Sequence, residues 1–266
     1  MLFRSNYFYN YRMLRVIQIP VLSDNYIYLI VDEGSGRCAC VDPAVSKPVI
    51  SMLKKKNLHL DYILNTHHHF DHIGANLELQ KKYNCQIIGN EKDKDRIPGI
   101  NLFVKENSKF SIGSSEFKVF EVSGHTIGHI CYYFEKDNII FCGDTLFSLG
   151  CGRLFEGSPA TMVESLLKIR ALPDETKIYC AHEYTLNNAN FAQTLEPNNE
   201  DLKKKIEEIK KKRTQGLPTI PSILGEEKKL NPFLRFDDQK LLKNMGLKFR
   251  DNTESFRIIR ELKDNF

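Results

Sequence analysis

The sequence predicts an α/β protein that consists of a larger α/β part and a smaller helical part. Short apolar segments with strand character alternate with helical segments through most of the 266-residue chain. From about Leu186 onward the pattern changes to long polar helical segments separated by a Pro-rich stretch. We therefore expect an N-terminal extension at 1–12, an α/β catalytic domain at 13–184 and a helical domain at 185–266.

The elements follow in order from apolar periodicity and from the turn residues that separate them. Strands are predicted for RVIQIPVL, YIYLIV, RCACVD, DYILN, CQIIG, EFKVFEV and KIYCAH, and HICYYFE with NIIFCGD is predicted to form a hairpin. Helices are predicted for KPVISMLKKK, ANLELQKKY and TMVESLLKI, and in the C-terminal part for EDLKKKIEEIKKK and TESFRIIRELKD.

The composition argues against two classes of partner. With 41% hydrophobic and 27% charged residues, and no apolar run long enough to cross a bilayer, the chain is expected to be soluble and to have no membrane partner. The net charge is only +4, and the Lys-rich runs at 54–56 and 203–212 are typical of solvated faces. No nucleic-acid partner is therefore expected, and we expect a monomer or a weak homodimer.

The seven cysteines indicate a reducing compartment, because their number is odd and their spacing shows no pairs. A cytoplasmic location is the expectation. Residues 1–12 contain two arginines and no acidic residue, so organellar targeting is the alternative. That segment is short and lacks an amphipathic pattern, which favours the cytoplasm.

The stretch NTHHHFDH at 65–72 holds four of the eight histidines and an aspartate, directly after a predicted buried strand. In an extended segment alternate residues point the same way, so His67 and His69 can bind one metal ion. If a helix then begins, Asp71 and His72 lie on the other side of the turn and can bind a second ion. Imidazole and carboxylate ligands suit Zn, Fe and Mn, and a motif without thiolates favours a catalytic site over a structural one.

Further ligands are predicted where later strands end, because ligands converge at strand ends in α/β proteins. The complete assignment places His67, His69 and His125 on one ion, Asp71, His72 and His182 on the other, and Asp144 as the bridge. Two divalent ions, expected to be Zn with Fe or Mn as alternatives, lie about 3.5 to 4 Å apart in such sites and activate a hydroxide between them. Asp71 and Asp144 are expected to orient that hydroxide, so hydrolysis needs no Ser or Cys nucleophile.

Four other side chains are expected outside the group of metal ligands. A single histidine such as His59 is typically a packed or surface residue, and His68 should face away from its neighbours on the alternating segment. For His129 two roles are equally open: support of a ligand from behind, or packing on the following strand. Cys180 is expected to be a buried strand cysteine.

The motif THHHFDHIGAN resembles the signature of the metallo-β-lactamase superfamily. Because GHTIGHICYY, GDTLFSLGCGRLFEG, CAHEYTLNNANFA, TIPSILGEE and NPFLR follow in order, the chain resembles the glyoxalase II, or hydroxyacylglutathione hydrolase, family from about Leu14 to the C-terminus. The resemblance implies an αβ/βα sandwich with a binuclear metal site at one edge and the seven ligands named above. It also implies hydrolysis of S-D-lactoylglutathione to glutathione and D-lactate, the second step of methylglyoxal detoxification.

The resemblance also implies which residues bind the glutathione thioester. The expected contacts are Arg153, Phe155, Tyr184, Arg257, Arg260 and Lys263. All except Phe155 and Arg257 match family residues that bind the glutathione moiety, and the cations among them suit its carboxylates. Arg257 is included because it extends the basic stripe of the last predicted helix, a pattern that is also typical of a solvated helix face.

The chain departs from the family pattern at several positions. Phe70 stands where Trp is usual, Ala75 where Gly is usual, and Arg153 where Lys is frequent, which preserves the charge. Phe155 stands where Tyr is common and lacks the hydroxyl that would contact glutathione.

Two alternatives to a glutathione thioesterase stay open at this point. One is another enzyme of the same scaffold, such as a persulfide dioxygenase, a lactonase, a β-lactamase or a tRNA-processing nuclease, although no insertion that would grip RNA is evident. The other is a non-catalytic binding protein that is stabilised by its metal. Seven ligands at strand ends, with an open bridging position, argue against the second alternative.

Overall fold

Two six-stranded β-sheets form the centre of the protein. The computed structural model describes residues 14–266, so the extension predicted at 1–12 and its targeting role lie outside the described residues. The first sheet consists of β1 (Leu14–Val21), β2 (Asn25–Asp32), β3 (Cys38–Val41), β4 (Tyr62–Leu64), β5 (Gln86–Asn90) and β6 (Leu102–Val104). The other strands are β7 (Lys109–Ile112), β8 (Ser115–Glu121), β9 (Ile130–Phe134), β10 (Ile139–Gly143), β11 (Leu146–Phe147), β12 (Gly150–Cys151), β13 (Lys177–Cys180) and β14 (Ser222–Ile223).

The two sheets differ in strand direction. In the first sheet β1 to β3 pair antiparallel and β3 to β6 pair parallel. The second sheet has the order β14-β13-β10-β9-β8-β7, and β10 with β13 is its parallel pair. The predicted hairpin is confirmed, since β9 and β10 pair antiparallel. Strands β11 and β12 form a small hairpin of their own.

Helices cover the outer faces of both sheets. In the part of the chain that is described they are α1 (Ser46–Lys56), α2 (Phe70–Ile73), α3 (Asn76–Tyr83), α4 (Pro159–Arg170), α5 (Thr185–Leu195), α6 (Glu200–Thr214), α7 (Leu224–Leu230), α8 (Gln239–Asn244) and α9 (Asn252–Asp264). The predicted helices correspond to α1, α3, α4, α6 and α9. None of the helices within 14–266 is long and apolar enough to cross a membrane.

The buried strand β2 shows how the layers arise from the sequence. Every residue of β2 is buried, and its side chains alternate between two cores. Tyr28 and Ile30 face the core between the two sheets, while Ile27 and Leu29 face the core beneath α1 and α3. A strand that is apolar on both faces must be covered on both faces, and the result is the predicted αβ/βα sandwich.

The C-terminal part contains four elements that the sequence analysis did not predict, the helices α5, α7 and α8 and one strand. Strand β14 lies beyond α6 and pairs antiparallel with β13, which extends the second sheet. Two residues are too short to show a strand period, so the pattern reads only as a Pro-rich connection. Helices α5 and α6 pack on each other through a small core that includes Ala189, Ala192 and Ile206.

Candidate metal centre

The seven predicted ligand residues lie together at one edge of the two sheets. Parallel strands bring their carboxyl ends to the same edge, and here the segments that follow β4, β10 and β13 meet there. Strand β4 is followed by the histidine motif, β10 by Asp144, and β13 by His182 after one alanine. His125 lies on the loop between β8 and β9.

The first group consists of His67, His69 and His125. The Nδ1 atom of His69 lies 3.1 Å from Nε2 of His67 and 3.1 Å from Nε2 of His125. One ligand atom from each residue lies within 4.8 Å of the others, close enough to hold a single metal ion. Three converging imidazole nitrogens of this kind are a donor set that suits zinc or iron.

The second group consists of Asp71, His72 and His182. The Oδ2 atom of Asp71 lies 3.6 Å from Nε2 of His72 and 3.5 Å from Nε2 of His182. Asp144 lies between the two groups: its Oδ1 is 3.4 Å from Nε2 of His182, and its Oδ2 is 3.4 Å from Nε2 of His125. This is the position that a bridging carboxylate requires.

Two buried polar atoms at the centre fit a pair of cations. Within the described residues, neither Nε2 of His72 nor Oδ1 of Asp144 has a hydrogen-bond partner, although both atoms are buried. The two atoms face each other at 3.6 Å. Buried polar atoms are nearly always paired, so an orphaned nitrogen opposite an orphaned carboxylate oxygen is what a metal site shows when only protein atoms are counted. The donor set therefore fits a binuclear metal centre.

The electrostatics of the two groups differ. Burial and the neighbouring imidazoles hold the pKa of His67 well below its usual value and lower the pKa of His69 to about 4. Burial also acts to lower the pKa of His182, but the carboxylates of Asp144 and Asp24 outweigh it and raise this pKa to about 9. The first group thus offers neutral imidazoles, and the second is rich in negative charge that a bound cation would balance.

Asp24, in the turn between β1 and β2, and Asn25, the first residue of β2, support the second group and were missed by the sequence analysis. The carboxylate of Asp24 lies 2.7 Å from Nδ1 of His182, which directs Nε2 towards the centre. The side-chain amide of Asn25 donates to Oδ2 of Asp71 at 2.9 Å. The sequence SDN was interpreted only as a turn, and its position at a strand end was the signal that could have identified it.

Asp42 is a third supporting residue that the sequence analysis missed. It directly follows β3, and its Oδ2 lies 3.0 Å from Nδ1 of His72. Asp42 also accepts hydrogen bonds from the backbone N–H of Thr66 at 2.8 Å and from its hydroxyl at 2.7 Å. Although Asp42 clusters with His67 and His72, these bonds occupy its oxygens, so it orients the histidine loop and leaves Nε2 of His72 free for the centre.

His129 supports the centre from behind. Its ring stacks on the ring of His67 with centroids 4.6 Å apart, and its Nε2 accepts a hydrogen bond from the backbone N–H of Asp144 at 3.1 Å. Of the two roles left open for His129, the structure therefore favours support over simple strand packing. Burial keeps the pKa of His129 well below its usual value, so the ring is neutral.

The other three side chains lie outside the two groups. His59 is exposed beside Tyr83, and Nδ1 of His68 faces the buried carboxylate of Asp93 at 3.6 Å. Cys180 is buried in β13, and all seven cysteines are free and buried. The prediction of unpaired thiols is confirmed.

Two of the six predicted substrate residues border the centre. The ring of Phe155 lies 5.1 Å from that of His125 and 5.7 Å from that of His69, and Phe155 is 62% exposed. The ring of Tyr184 stacks on that of His182 at 4.8 Å. An aromatic side chain thus stands beside each group of predicted ligands and is partly exposed to solvent.

Two predicted cations share the carboxylate of Asp264 beside β12, and a third, Lys263, lies near them and donates to Asn187. Arg260 is buried, donates to the backbone carbonyl of Cys151 at 3.0 Å and pairs with Asp264 at 2.9 Å. The exposed Arg153 lies 3.7 Å from the same carboxylate. Burial together with Arg260 and Arg153 lowers the pKa of Lys263 to about 8. Because one acid faces three cations, this cluster has positive charge to offer an anionic ligand.

Arg257 differs from the other cations. Its guanidinium pairs with Glu254 at 2.8 Å and with Glu261, both on its own helix α9. These contacts are those of a solvated helix face, the alternative that the sequence analysis kept for this stripe.

Comparison with known proteins covers both parts of the chain. A family model described as metallo-beta-lactamase superfamily matches residues 22–182, and one described as hydroxyacylglutathione hydrolase C-terminus matches 183–266. Hydroxyacylglutathione hydrolase from Methylococcus capsulatus is 49% identical over 254 residues, covering 96% of this chain and 99% of the relative. The enzyme of the same name from Gloeothece citriformis is 49% identical over 259 residues, covering 95% and 100%. The chain belongs to the hydroxyacylglutathione hydrolase family.

Solved structures agree with the metallo-β-lactamase fold of this hydroxyacylglutathione hydrolase family member. ETHE1 from Myxococcus xanthus has a TM-score of 0.67 and 25% identity, with 94% of this chain and 90% of that chain covered. TTHA1623, solved in a di-iron-bound form, has a TM-score of 0.54 and 26% identity, with 63% and 91% covered. The fold thus accommodates a pair of metal ions in at least one related structure.

Proposed function

We propose that the chain hydrolyses S-D-lactoylglutathione and related 2-hydroxyacylglutathiones to glutathione and the 2-hydroxy acid. It is a thioester hydrolase, and the observation that carries this conclusion is its match to hydroxyacylglutathione hydrolases over nearly the whole chain. The convergence of five histidines and two aspartates supports the metal-dependent mechanism. When bound, two divalent ions, with zinc expected and iron or manganese as alternatives, would supply an activated water and polarise the thioester carbonyl.

The residues of the chain prepare this centre for hydrolysis. Asp144 and Asp71 are proposed as ligands that orient the attacking water, with Asp144 shared between the two groups. Asp24, Asn25 and Asp42 fix the ligands of the second group, so that their donor atoms need no reorganisation when substrate binds. Preorganised donors lower the barrier because they are already placed where charge develops.

The cationic cluster is proposed to bind the glutathione moiety. Arg153, Arg260 and Lys263 present positive charge beside the centre, and glutathione carries carboxylates that such groups bind through charge-assisted hydrogen bonds. Tyr184 and Phe155 border the metal centre and are proposed to contact the substrate there. In this proposal residues 13–184 carry the chemistry, and the helical substrate-binding domain at 185–266 contributes Arg260 and Lys263.

The compartment and assembly of the protein belong to the same proposal. Seven buried, unpaired cysteines support a reducing location, and we propose the cytoplasm. A monomer or a weak homodimer would suffice, because the seven ligands and the cationic cluster all come from one chain.

The proposal is tested by measuring kcat/KM for S-D-lactoylglutathione beside a simple lactone and a β-lactam, with oxygen uptake followed in parallel. We expect loss of thioester absorbance with release of free thiol, and little turnover of the other two. Preference for the lactone or the β-lactam would favour another enzyme of the scaffold, and oxygen uptake a persulfide dioxygenase. Complete inactivity of metal-replete protein with the thioester would favour a non-catalytic binding protein.

A further inference from the structure

The segment 152–157 and the loop that carries His125 hold each other through backbone contacts. Nδ1 of His125 lies 2.9 Å from the backbone carbonyl of Arg153, so the ring N–H donates there and Nε2 is directed to the centre. In return, the backbone N–H of Phe155 donates to the carbonyl of His125 at 3.3 Å. The orientation of a proposed ligand therefore depends on where 152–157 lies.

One side chain of this segment, Glu156, makes charged contacts that hold it in place. Its Oε2 accepts a hydrogen bond from the backbone N–H of Ile127 at 2.8 Å, which joins the segment to the His125 loop a second time. Its Oε1 accepts from Nη1 of Arg96 at 2.6 Å. The side chain of Glu156 is 24% exposed, so its ion pair is shielded better than an ordinary surface pair.

Arg96 is itself anchored in the protein interior. Its Nε donates to Oδ1 of Asp93 at 3.0 Å, and Nη2 donates to the same oxygen. Asp93 is fully buried and packs so closely on Gly128 that a Cβ there would lie 2.2 Å from Oδ1. The guanidinium is always charged and its planar fork spans both carboxylates, so Arg96 is a fixed support against which Glu156 is held.

We propose that Glu156, held by Arg96, is a positioning residue for the hydrolysis. The Arg96–Glu156 pair fixes segment 152–157, and through it the Arg153 carbonyl that orients His125. The same segment carries the side chains of Arg153 and Phe155 on the substrate side. Neither Arg96 nor Glu156 belongs to the proposed ligand groups, so the pair acts through the residues that it places. These include His68, between two proposed ligands, whose Nε2 lies 3.4 Å from Nη1 of Arg96 and 3.5 Å from Oε1 of Glu156. This inference rests on the proposed function for its kinetic part, and on the geometry of His125 for its metal-binding part.

The test uses Glu156→Gln, Arg96→Gln and the double variant in the full-length protein. Two quantities are measured: the affinity for each of two zinc ions, by competition with a chelating indicator, and KM and kcat for S-D-lactoylglutathione. Residues that support metal ligands typically contribute about 10- to 100-fold in affinity or activity. We expect each single variant to bind one of the two ions about 10-fold more weakly and to raise KM, with the second ion unaffected.

The double variant shows whether the pair acts as a unit. If it does, the double variant should be no worse than Glu156→Gln alone, because the interaction is already lost. Glu116→Gln, which removes an exposed pair with Lys109 at 3.5 Å, is the matched control and should leave both quantities unchanged. Thermal unfolding of each variant shows whether it has folded. If Glu156→Gln has not, Arg96→Gln tests the same ion pair by removing the other partner.

The outcomes separate this inference from the proposed function. Wild-type zinc affinities and KM in both Glu156→Gln and Arg96→Gln would overturn the positioning role, whatever the substrate is. Absence of thioester hydrolysis by the wild-type protein would overturn the proposed function, while the zinc measurement would still decide whether Glu156 orients His125.

Discussion

Asp144 is the residue on which both ligand groups depend. Its two carboxylate oxygens face Nε2 of His182 and Nε2 of His125, each at 3.4 Å, and the imidazoles of both groups hold the pKa of Asp144 well below its usual value against the effect of burial. A side chain in this position is ionised at neutral pH. No other described residue contacts donors of both groups through separate carboxylate oxygens in this way.

We predict that Asp144→Asn loses metal and most of its activity. The substitution keeps the shape of the side chain but removes the charge that two cations would share. Even a residue that only supports a metal ligand contributes about 10- to 100-fold to metal affinity or activity. A loss of at least about 100-fold in kcat/KM is therefore expected. Metal analysis and steady-state kinetics on the purified variant check this; retention of both metal and activity would remove Asp144 from the bridging role.

Lys263 gives the proposed glutathione site a pH dependence. Burial, Arg260 and Arg153 lower its pKa to about 8, so the charge that would bind a substrate carboxylate is present below about pH 8 and lost above it. We predict that KM for S-D-lactoylglutathione rises as the pH is raised through about 8. The rise should reach at least about tenfold, since a hydrogen bond to a charged group is worth about 1.5–3 kcal/mol.

The comparison variant for this prediction is Lys263→Arg. Arginine stays charged throughout the accessible pH range, so the KM of this variant should not rise as the pH passes 8. If the KM of Lys263→Arg changed with pH in the same way as the wild-type KM, Lys263 would be excluded as the origin of the pH dependence.

We also predict that Arg260→Ala raises KM more than it lowers kcat, because it removes binding remote from the reacting carbonyl. Steady-state kinetics check this, and an unchanged KM would count against a glutathione-binding role. Because Arg260 is buried against Cys151, that variant also loses packing and is the less specific probe.

At the scale of elements, α7 holds the β11–β12 hairpin that leads into the substrate segment. The buried carboxylate of Glu227 accepts a hydrogen bond from the backbone N–H of Leu149 at 2.8 Å, where Leu149 has a positive φ of 56°. The side-chain amide of Asn231 donates to the carbonyls of Phe147 and Gly150 at 3.1 and 3.0 Å. The motifs TIPSILGEE and NPFLR therefore supply the side chains that fix a tight turn far away in the sequence.

We predict that Glu227→Ala destabilises the protein by about 1–3 kcal/mol, because it leaves the buried N–H of Leu149 without a partner. Glu227→Gln should cost less, since an amide oxygen can accept the same bond without a buried charge. The control is Glu226→Ala on the same helix, whose exposed pair with Lys205 is worth about 0–1 kcal/mol. Denaturant unfolding compares the three; equal midpoints for Glu227→Ala and Glu226→Ala would contradict the prediction.

Much of the metal centre was predictable because its residues obey a rule of position. Asp144 and His182 follow buried strands, and parallel strands must bring such ends together. Asp24 and Asn25 also lie at a strand end, but their supporting role was harder to predict. It depends on β2 lying beside the end of β13, where Asn25 forms a β-bridge with His182. Contacts between segments more than a hundred residues apart leave no local pattern, so these residues could not be ranked above an ordinary turn.

The C-terminal part shows which features a sequence pattern does not specify. The basic stripe of α9 predicted one face, yet the structure divides it: Arg257 pairs within its helix, whereas Arg260 is buried against β12. Which residue of a stripe faces inward depends on the rotation of the helix against its neighbours, and a spacing of three residues does not specify it. Strand β14 was missed for a related reason, since its partner β13 defines it and its own two residues do not.

For the whole molecule, metal binding should contribute to stability. The proposed ligands come from segments that follow β4, β8, β10 and β13, so a bound pair of ions joins both sheets at one edge. We predict that removing the metals with a chelator lowers Tm and that adding zinc restores it. A ligand at about 100 times its Kd adds about 2.7 kcal/mol to the free energy of unfolding. An unchanged Tm after complete removal would show that the centre does not link the sheets.

The most direct test of the two-ion centre is a metal count on fully active protein. Elemental analysis of a preparation whose kcat for S-D-lactoylglutathione no longer rises on addition of metal gives the number of ions that hydrolysis requires. Two ions per chain are expected, from the two groups that Asp144 joins. A count of zero or one in such a preparation would contradict the account.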